Sequence, residues 1–260
     1  MNPLLGKLFN ERRITMDNGI ICIIQARMGS ERLPGKVIKE IKGTPMILHI
    51  LNRLNRANKI EKTIVATSTN SENDRLEDVV KAAGGNIFRG SEDDVLKRYV
   101  DAAEQFRGKY IIRVTGDCPL ISAEVIDELI DKFLEAKVDY MRVDVPNTFS
   151  RGFDAEIFTR EALMKAHYKA TEARYREHVT LYMYEHPEEF SVERMEAKES
   201  WNRPNYRLCV DTKEDFDLVE KVYEALYDQN KGFEIDEIIS YLDNHPEVAG
   251  INQFIIQKNV

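Results

Sequence analysis

The 260-residue sequence predicts an α/β fold with a mainly parallel central sheet, helices on both of its faces and a smaller inserted lobe. Short β-branched runs alternate with amphipathic segments through the first half of the chain. This rhythm changes between about residues 146 and 203. Because alternating strands and helices form βαβ units, ligands bind at the carboxyl ends of the strands. Function is therefore expected in the loops that follow the predicted strands.

The predicted strands of the first half are short, mostly apolar runs. They are Ile20–Gln25, Lys62–Thr67, Asn86–Phe88, Tyr110–Val114 and Val138–Val143. The helices between them have apolar residues at helical spacing and capping residues at their ends. They are predicted after Pro45, at Glu72–Ala83, at Val95–Phe106 and from Ser122 to about Ala136.

The second half predicts a less regular arrangement. Extended segments are predicted at Arg151–Phe158, Phe190–Met195 and Tyr206–Val210. Helices are predicted at Arg160–Lys169, Glu172–Glu185, Lys213–Tyr227 and Glu234–Asn244. Since the chain has neither an internal repeat nor a low-complexity linker, we predict an N-terminal extension over residues 1–19 and one domain over residues 20–260. The inserted lobe, at about 146–203, is the expected acceptor-binding and dimerisation region.

The charge balance of the chain limits its partners. A net charge of -8 and a pI near 5.3 argue against a nucleic-acid-binding protein, which normally carries a basic face. No apolar run approaches the roughly 18 residues of a membrane span. The N-terminal residues lack the apolar core of a secretory signal. We expect a cytoplasmic protein that binds neither nucleic acid nor a membrane.

The segment with the most reactive side chains is MGSERLPGKV, Met28–Val37, directly after the first predicted strand. It does not fit a Walker A loop, because five residues separate Gly29 from Gly35 and Val37 stands where a magnesium-binding hydroxyl is needed. Pro34 also lacks the backbone N–H that a phosphate cradle uses. The glycine spacing does not fit the G-x-G-x-x-G pattern either.

The same loop nevertheless suits a polyphosphate. Gly29 and Ser30 are small enough to let backbone N–H groups approach a phosphate, and Arg27, Arg32 and Lys36 carry positive charge. A solvated basic turn between strand and helix is the alternative. The position directly after a buried strand favours phosphate binding.

The loop also resembles a known family signature. Gln25–Lys36 resembles the A-R-x-x-S-x-R-L-P-G-K signature of cytidylyltransferases that make CMP-activated acidic sugars, and it is most similar to the spore-coat polysaccharide biosynthesis subgroup. Further segments resemble that subgroup in order: Gly90–Tyr99, Arg113–Leu120, Gly152–Phe158, Arg176–Thr180 and Arg207–Asp215. The resemblance covers roughly residues 20–227 and implies a GT-A, Rossmann-like nucleotidyltransferase fold.

The resemblance implies a Mg²⁺-dependent transfer of CMP from CTP to an acidic, 2-keto (nonulosonic-like) sugar, with release of pyrophosphate, for surface polysaccharide synthesis. It implies that Arg27, Lys36 and Asp117 are catalytic. Asp117 and Asp211 each end a predicted strand and match the family's two metal-binding aspartates. Alone, Asp117 is equally consistent with a turn residue and Asp211 with a helix N-cap.

Nucleotide contacts are expected from several loops. The expected residues are Ala26, Arg27, Met28, Gly29, Ser30, Arg32, Lys36, Thr67, Ser68, Arg89, Asp94, Gly116 and Asp117. For Glu92 and Asp93 we favour a helix-capping role, because an acidic first turn suits the helix dipole. For Asp94 the sequence leaves both roles open, nucleotide contact and helix capping.

The acceptor is expected in the inserted lobe, where charged residues concentrate. These are Arg151, Asp154, Glu156, Arg174, Arg176, Glu177 and His178. Arginine suits a sugar carboxylate because it donates two parallel hydrogen bonds. A homodimer is expected because related synthetases are commonly dimeric. Two other functions stay open: a phosphorylated acceptor that gives a CDP-linked product, and a non-catalytic nucleotide-binding homologue.

Overall fold

The computed structural model describes residues 19–228 and 232–257. Its strands, in chain order, are β1 (Ile20–Gln25), β2 (Glu40–Ile41), β3 (Thr44–Pro45), β4 (Lys62–Ser68), β5 (Asn86–Gly90), β6 (Tyr110–Thr115), β7 (Tyr140–Val143), β8 (Glu156–Thr159) and β9 (Val192–Met195). Its helices are α1 (Met46–Leu54), α2 (Asp74–Ala82), α3 (Val95–Gln105), α4 (Ala123–Ala136), α5 (Arg160–Lys169), α6 (Ala173–Glu177), α7 (Leu181–Glu185), α8 (Lys213–Leu226), α9 (Ile235–Asn244) and α10 (Pro246–Ala249).

The centre of the fold is a seven-stranded sheet in the order β5-β4-β1-β6-β8-β7-β9. Its pairings are parallel except for those of β8, which runs antiparallel to both β6 and β7. β2 and β3 form a small separate hairpin. The predicted α/β fold with a mainly parallel sheet is confirmed.

The sheet is covered on both faces because its central strand is apolar on both sides. Ile20, Cys22 and Ile24 of β1 belong to the core on the face of α1, α2, α4, α8 and α9. Ile21 and Ile23 belong to the core on the face of α3, α5, α6 and α7. Each fully buried isoleucine stabilises the fold by roughly 1.5–3 kcal/mol. The predicted first strand therefore becomes the rigid support of the loop that follows it.

The strand order reverses beside β1. The chain passes from β1 to β4 and β5 on one side and then returns to β6 on the other. The register pairs Gln25 at the end of β1 with Thr115 at the end of β6. Such a reversal leaves a crevice between the two loops, since they leave in opposite directions.

One predicted helix is broken in two. The segment Glu172–Glu185 forms α6 and α7 instead of a continuous helix. The break lies at Thr180, which is buried and whose hydroxyl lies 3.0 and 3.1 Å from the two carboxylate oxygens of Glu156. This tertiary contact outweighs the helical periodicity of the segment.

The predicted strand Tyr206–Val210 does not join the sheet. It makes one bridge, between Arg151 and Arg207. The edge of β6 that it would need is occupied by β8. The backbone N–H of Val210 instead donates to the carbonyl of Asp117 at 2.7 Å, and this hydrogen bond brings the next residue, Asp211, to the crevice.

The predicted division into domains remains a prediction. The range 146–203 supplies β8 and β9 to the central sheet as well as α5, α6 and α7. The predicted N-terminal extension lies outside the described residues except for residue 19. No helix in the described ranges is long and apolar enough to cross a bilayer.

Candidate active site

The carboxyl ends of β1 and β6 open into a cleft of about 680 Å³. Predicted site residues from distant parts of the sequence meet on its wall. They are Ala26, Arg27, Gly29, Ser30, Arg32, Lys36, Gly116, Asp117, Glu177 and Asp211. The fold therefore brings the cationic loop and both predicted metal-binding aspartates to one site.

The loop after β1 is folded by its own backbone. The Met28 carbonyl accepts hydrogen bonds from the N–H groups of Ser30 at 2.9 Å and Gly35 at 3.1 Å. Gly35 has a φ of 67°, a left-handed conformation that favours glycine. It precedes the short 3-10 turn Lys36–Ile38, which directs Lys36 into the cleft.

Lys36 joins the two aspartates. Its Nζ lies 2.9 Å from Oδ1 of Asp211 and 3.7 Å from Oδ2 of Asp117. Nζ also donates to the carbonyl of Val210 at 2.6 Å. Burial lowers the pKa of Lys36, but the two carboxylates outweigh burial and hold the pKa above its ordinary value. The ammonium is therefore a fixed positive charge in the cleft.

Asp211 is surrounded by cations. Lys36 contacts Oδ1, while the Nη2 atoms of Arg32 and Arg207 lie 3.0 and 2.9 Å from Oδ2. Burial raises the pKa of Asp211, but the three cations outweigh burial and hold it below its ordinary value. Asp211 is consequently ionised and holds Lys36 and Arg32 in place beside the cleft.

Asp117 is positioned by the residue before it. The N–H of Gly116 donates to the carbonyl of Gln25 at 2.8 Å. A Cβ at Gly116 would lie only 2.8 Å from the Cβ of Ala26, so glycine is needed for this close approach. Thr115 Oγ1 donates to Oδ1 of Asp117, which leaves Oδ2 facing Lys36.

The two aspartates fit a magnesium ion that shares its ligands with phosphates. Within residues 19–228 and 232–257, no cluster of three or more His, Cys, Asp or Glu side chains forms a metal cage. Mg²⁺ does not need one, because it is usually held by one or two carboxylates plus phosphate oxygens and water. Oδ2 of Asp117 has its nearest cation 3.7 Å away, so this oxygen is open to a metal, whereas both oxygens of Asp211 contact cations.

Some predicted nucleotide contacts do not reach the cleft wall. Thr67 and Ser68 are fully buried in β4. Arg89 forms ion pairs with Asp74 at 2.7 Å and Glu77 at 2.6 Å. Its guanidinium is thereby held against α2. Met28 and Asp94 also lie off the wall, and the Asp94 carboxylate caps α3 by accepting from the N–H of Lys97.

The predicted acceptor residues are mostly engaged with protein partners. Glu177 lies on the cleft wall. Arg176 donates to both carboxylate oxygens of Asp94, at 3.0 and 2.6 Å. Arg174 pairs with Glu185 at 2.7 Å on the surface. The pairing of Arg176 with Asp94 fixes α6, and with it Glu177, against the start of α3.

The acidic acceptor residues are also satisfied within the protein. Glu156 accepts hydrogen bonds from Arg113, Tyr140 and Thr180 and does not lie on the cleft wall. Asp154 accepts from the N–H of Gly152 at 2.7 Å. His178 ends α6 and is half-buried, but it does not lie on the cleft wall.

Arg151 faces a second, smaller groove of about 160 Å³. Arg207 also lines this groove. Its guanidinium donates to Asp215 at 2.8 Å, to Asp211 at 2.9 Å and to the side-chain oxygen of Gln257. Arg207 therefore connects the C-terminal segment to the carboxylate that holds Lys36.

Several residues on the wall were not predicted. They are Gln25, Glu31, Val37, Glu92, Asp93, Val95, Arg98, Thr115 and Ala173. We interpreted Glu92 as a capping residue, but its Oε1 lies 2.8 Å from Nη1 of Arg27, whose side chain is 55% exposed. Burial raises the pKa of Glu92, but hydrogen bonds from Ser68 and Arg27 hold it below its ordinary value. The available signal was position: β5 ends at the same edge of the sheet as β1 and β6.

Phosphate-binding loops at the strand reversal of an α/β sheet, with carboxylates across the crevice, are suited to nucleoside triphosphates, and the chain is a nucleotidyltransferase. A family model described as cytidylyltransferase matches residues 21–239. The protein therefore belongs to the cytidylyltransferase family, as its signature predicted.

Two relatives and one solved structure illustrate this similarity. The spore coat polysaccharide biosynthesis protein SpsF of Bacillus subtilis is 34% identical over 238 residues, 89% of this chain and 97% of the relative. A 3-deoxy-manno-octulosonate cytidylyltransferase of Hydrogenovibrio crunogenus is 37% identical over 121 residues, 45% of this chain and 47% of the relative. A cytidylyltransferase from Leptospira borgpetersenii superposes with a TM-score of 0.84 at 31% identity, covering 93% of this chain and 99% of that one.

Proposed function

We propose that this cytidylyltransferase transfers CMP from CTP to an acidic, 2-keto (nonulosonic-like) sugar in a Mg²⁺-dependent reaction. An acceptor hydroxyl oxygen bonds to the α-phosphorus of CTP, the bond from that phosphorus to the bridging oxygen breaks, and pyrophosphate leaves. The hydroxyl proton passes to solvent. The observation that carries the proposal is the placement of Lys36 between Asp117 and Asp211, beside the cationic loop. The names of the two curated relatives support an acidic sugar and a role in polysaccharide synthesis.

The cationic loop is proposed to bind the triphosphate. Arg32 and Lys36 are already held at the cleft by Asp211 and need little reorganisation to meet phosphate oxygens. Arg27 is exposed at the rim and completes the set. Fixed cations stabilise the charge that develops on the phosphate oxygens and on departing pyrophosphate, which is the main catalytic requirement of such a transfer.

Asp117 and Asp211 are proposed to hold Mg²⁺ together with phosphate oxygens. When bound, the ion neutralises charge on the triphosphate and on the departing pyrophosphate. Asp117 supplies the more open oxygen, while Asp211 gains a free oxygen once Lys36 and Arg32 turn to the phosphates. The two aspartates are therefore proposed to bind the metal as well as to orient the cations.

The acceptor is proposed to bind beside Glu177, on the wall that α6 contributes. Among the other predicted acceptor residues, Arg176 is proposed to act by holding α6 in place through Asp94. The reaction is proposed to occur in the cytoplasm, where CTP is available. As the family resemblance implies, the active form is proposed to be a homodimer.

The direct test is pyrophosphate release with Mg²⁺, screened over CTP, UTP, ATP and GTP and over 2-keto sugar acids and sugar phosphates. Release with CTP and a 2-keto sugar acid, and a product mass equal to the acceptor plus CMP, is the expected result. If turnover occurs only with sugar phosphates and gives a CDP-linked product, the substrate is a phosphorylated sugar and the proposed acidic sugar is wrong. Omission of Mg²⁺ serves as the control and should abolish release.

A further inference from the structure

Asn73 is a fully buried polar residue directly before α2. It ends the short 3-10 turn Ser71–Asn73. The helix that follows packs Leu76 and Val80 into the core, so this position is rigid. A buried carboxamide is tolerated only when its oxygen and its nitrogen both have hydrogen-bond partners. The partners of Asn73 therefore indicate its role.

The two ends of the Asn73 carboxamide contact different parts of the site. Oδ1 accepts a hydrogen bond from the backbone N–H of Met28 at 2.9 Å, and Nδ2 donates to Oγ of Ser68 at 2.8 Å. This orientation is required, because a backbone N–H can only donate and so needs the carbonyl oxygen opposite it. One side chain thus joins the loop after β1 to the end of β4.

Met28 is the residue around which the loop folds. Its carbonyl accepts from the N–H groups of Ser30 and Gly35, and its own N–H is held by Asn73. The next residue, Gly29, is exposed and lies on the cleft wall. A loop that is held in this way meets a phosphate without first having to become ordered, which favours binding.

Ser68 extends the connection to Arg27. Its hydroxyl accepts from the backbone N–H of Asn70 at 3.3 Å and is hydrogen-bonded to the carboxylate of Glu92. Nδ2 of Asn70 donates to Oε2 of the same carboxylate at 3.3 Å. Oε1 of Glu92 lies 2.8 Å from Nη1 of Arg27. The carboxylate that orients the exposed arginine is therefore itself held in place by Ser68 and Asn70.

We propose that Asn73 is a positioning residue for the triphosphate. One of its hydrogen bonds sets the backbone of the loop at Met28, and the connection that begins at Ser68 sets the guanidinium of Arg27. Asn73 does not lie on the cleft wall, so it acts through these residues and not by contact with a substrate. The inference rests on the proposed binding of the triphosphate by this loop. It gives an indirect role to Ser68, a predicted nucleotide contact that is buried.

The test is calorimetric binding of inorganic tripolyphosphate with Mg²⁺ to the full chain, below the thermal unfolding midpoint of each variant. Asn73→Ala should weaken binding about 10- to 30-fold, because it removes both connections. Ser68→Ala removes one and should weaken binding about 3- to 10-fold. Asn86→Ala is the matched control and should leave the affinity unchanged. Its side-chain amide donates to the carbonyl of Thr63 at 3.1 Å, at the amino end of β5 and so at the opposite end of the sheet from the cleft.

The same measurements in an Arg27→Met background separate positioning from a structural role. In that background Ser68→Ala should change the affinity by less than about twofold, because the guanidinium that Ser68 positions is gone. Asn73→Ala should still weaken binding about 3- to 10-fold, through Met28. A residue that only stabilised the fold would lower the thermal midpoint equally in both backgrounds and would not produce this difference in affinity.

Wild-type affinity in Asn73→Ala would overturn the inference, and so would equal losses for Ser68→Ala with and without Arg27. If Asn73→Ala does not fold, Ser68→Ala in the two backgrounds decides the question. Wild-type protein that does not bind tripolyphosphate would overturn the proposed phosphate loop and this inference with it. Tight binding that Asn73→Ala leaves unchanged would overturn this inference alone.

Discussion

Lys36 and Asp211 are 175 positions apart in the sequence, yet Nζ of Lys36 lies 2.9 Å from Oδ1 of Asp211. This contact fastens the loop after β1 to the segment that precedes α8. It is partly buried and is reinforced by Arg32 and Arg207 on the other carboxylate oxygen. These ion pairs therefore hold the charged side chains of the cleft in place in the absence of a ligand.

Asp117→Ala should abolish turnover and leave the fold intact. The substitution removes the cleft carboxylate with the more open oxygen, which is proposed to hold Mg²⁺. Pyrophosphate release measures turnover, and the thermal unfolding midpoint checks the fold. Asp101→Ala, which removes a half-buried carboxylate from α3 outside the cleft, is the matched control and should remain active. Near-normal turnover of Asp117→Ala would refute the proposed metal site.

Lys36→Met should lower kcat about 100- to 1,000-fold, the usual effect of removing one fixed donor that stabilises transition-state charge. Arg32 and Arg207 still pair with Asp211 in this variant, so the fold should persist. Single-turnover release of pyrophosphate at saturating CTP is the appropriate measurement. Lys221→Met, on the exposed side of α8, is the control. A variant with changed KM and unchanged kcat would show that Lys36 contributes only to ground-state binding.

Asp211→Asn should lower the free energy of unfolding by roughly 2–3 kcal/mol at neutral pH, because three cations lose their charged partner. The pKa of Asp211 is lowered in the folded protein, so its stabilising effect is full above the ordinary aspartate pKa of about 3.9. The effect should disappear as pH falls through the lower, folded-state pKa. Urea unfolding of both proteins at several pH values should show the two stabilities converging in acid. A constant difference would mean that the charge of Asp211 is not the cause.

Gly116→Ala should lower both stability and activity, although it adds only one methyl group. The new methyl group would lie 2.8 Å from Cβ of Ala26 and 3.1 Å from the carbonyl oxygen of Gln25. Separating the ends of β1 and β6 should cost about 1–3 kcal/mol and move Asp117 away from Lys36. The thermal unfolding midpoint and kcat are both expected to fall. Gly250→Ala, in a helical conformation with its nearest contact at 3.2 Å, is the milder comparison.

Arg176→Met and Asp94→Asn should raise the acceptor KM by a similar factor, about 10-fold, the usual size of a well-formed ion pair of roughly 1.4 kcal/mol. Both substitutions release α6 from α3, and the affinity for CTP should stay unchanged. A double mutant no worse than either single variant would confirm that the two residues act as a pair. If only Arg176→Met raises KM, the arginine contacts the acceptor itself.

The sequence predicted what depends on local pattern. The apolar run of β1 and the glycines and cations after it are contiguous, so strand, loop and ligand class could be inferred together. Asp211 was identified by its resemblance to a family motif, although the segment before it is not a strand of the sheet. Its position depends on the hydrogen bond from the N–H of Val210 to the carbonyl of Asp117, which no local sequence pattern predicts.

The remaining site residues depend on tertiary contacts. Arg98 stands at ordinary helical spacing on α3, and only the folded structure shows that it is buried beside the cleft. Arg89 suited a phosphate by charge, but Asp74 and Glu77 lie within reach on α2 and hold it. In the same way, the carboxylate of Glu156 holds Thr180, which lies in the break between α6 and α7. Competition between partners decided each of these cases.

Arg207 gives the C-terminal segment a share in the chemistry of the cleft. The same guanidinium contacts Gln257 on one side and Asp211 on the other, and the side-chain amide of Asn252 donates to its carbonyl at 2.9 Å. Substitutions at Gln257 or Asn252 would thus shift Arg207 and, through it, the position of the Asp211 carboxylate, although neither residue lies on the cleft wall. For protein engineering, this segment is a place to adjust catalysis at a distance and a poor place to attach a fusion partner.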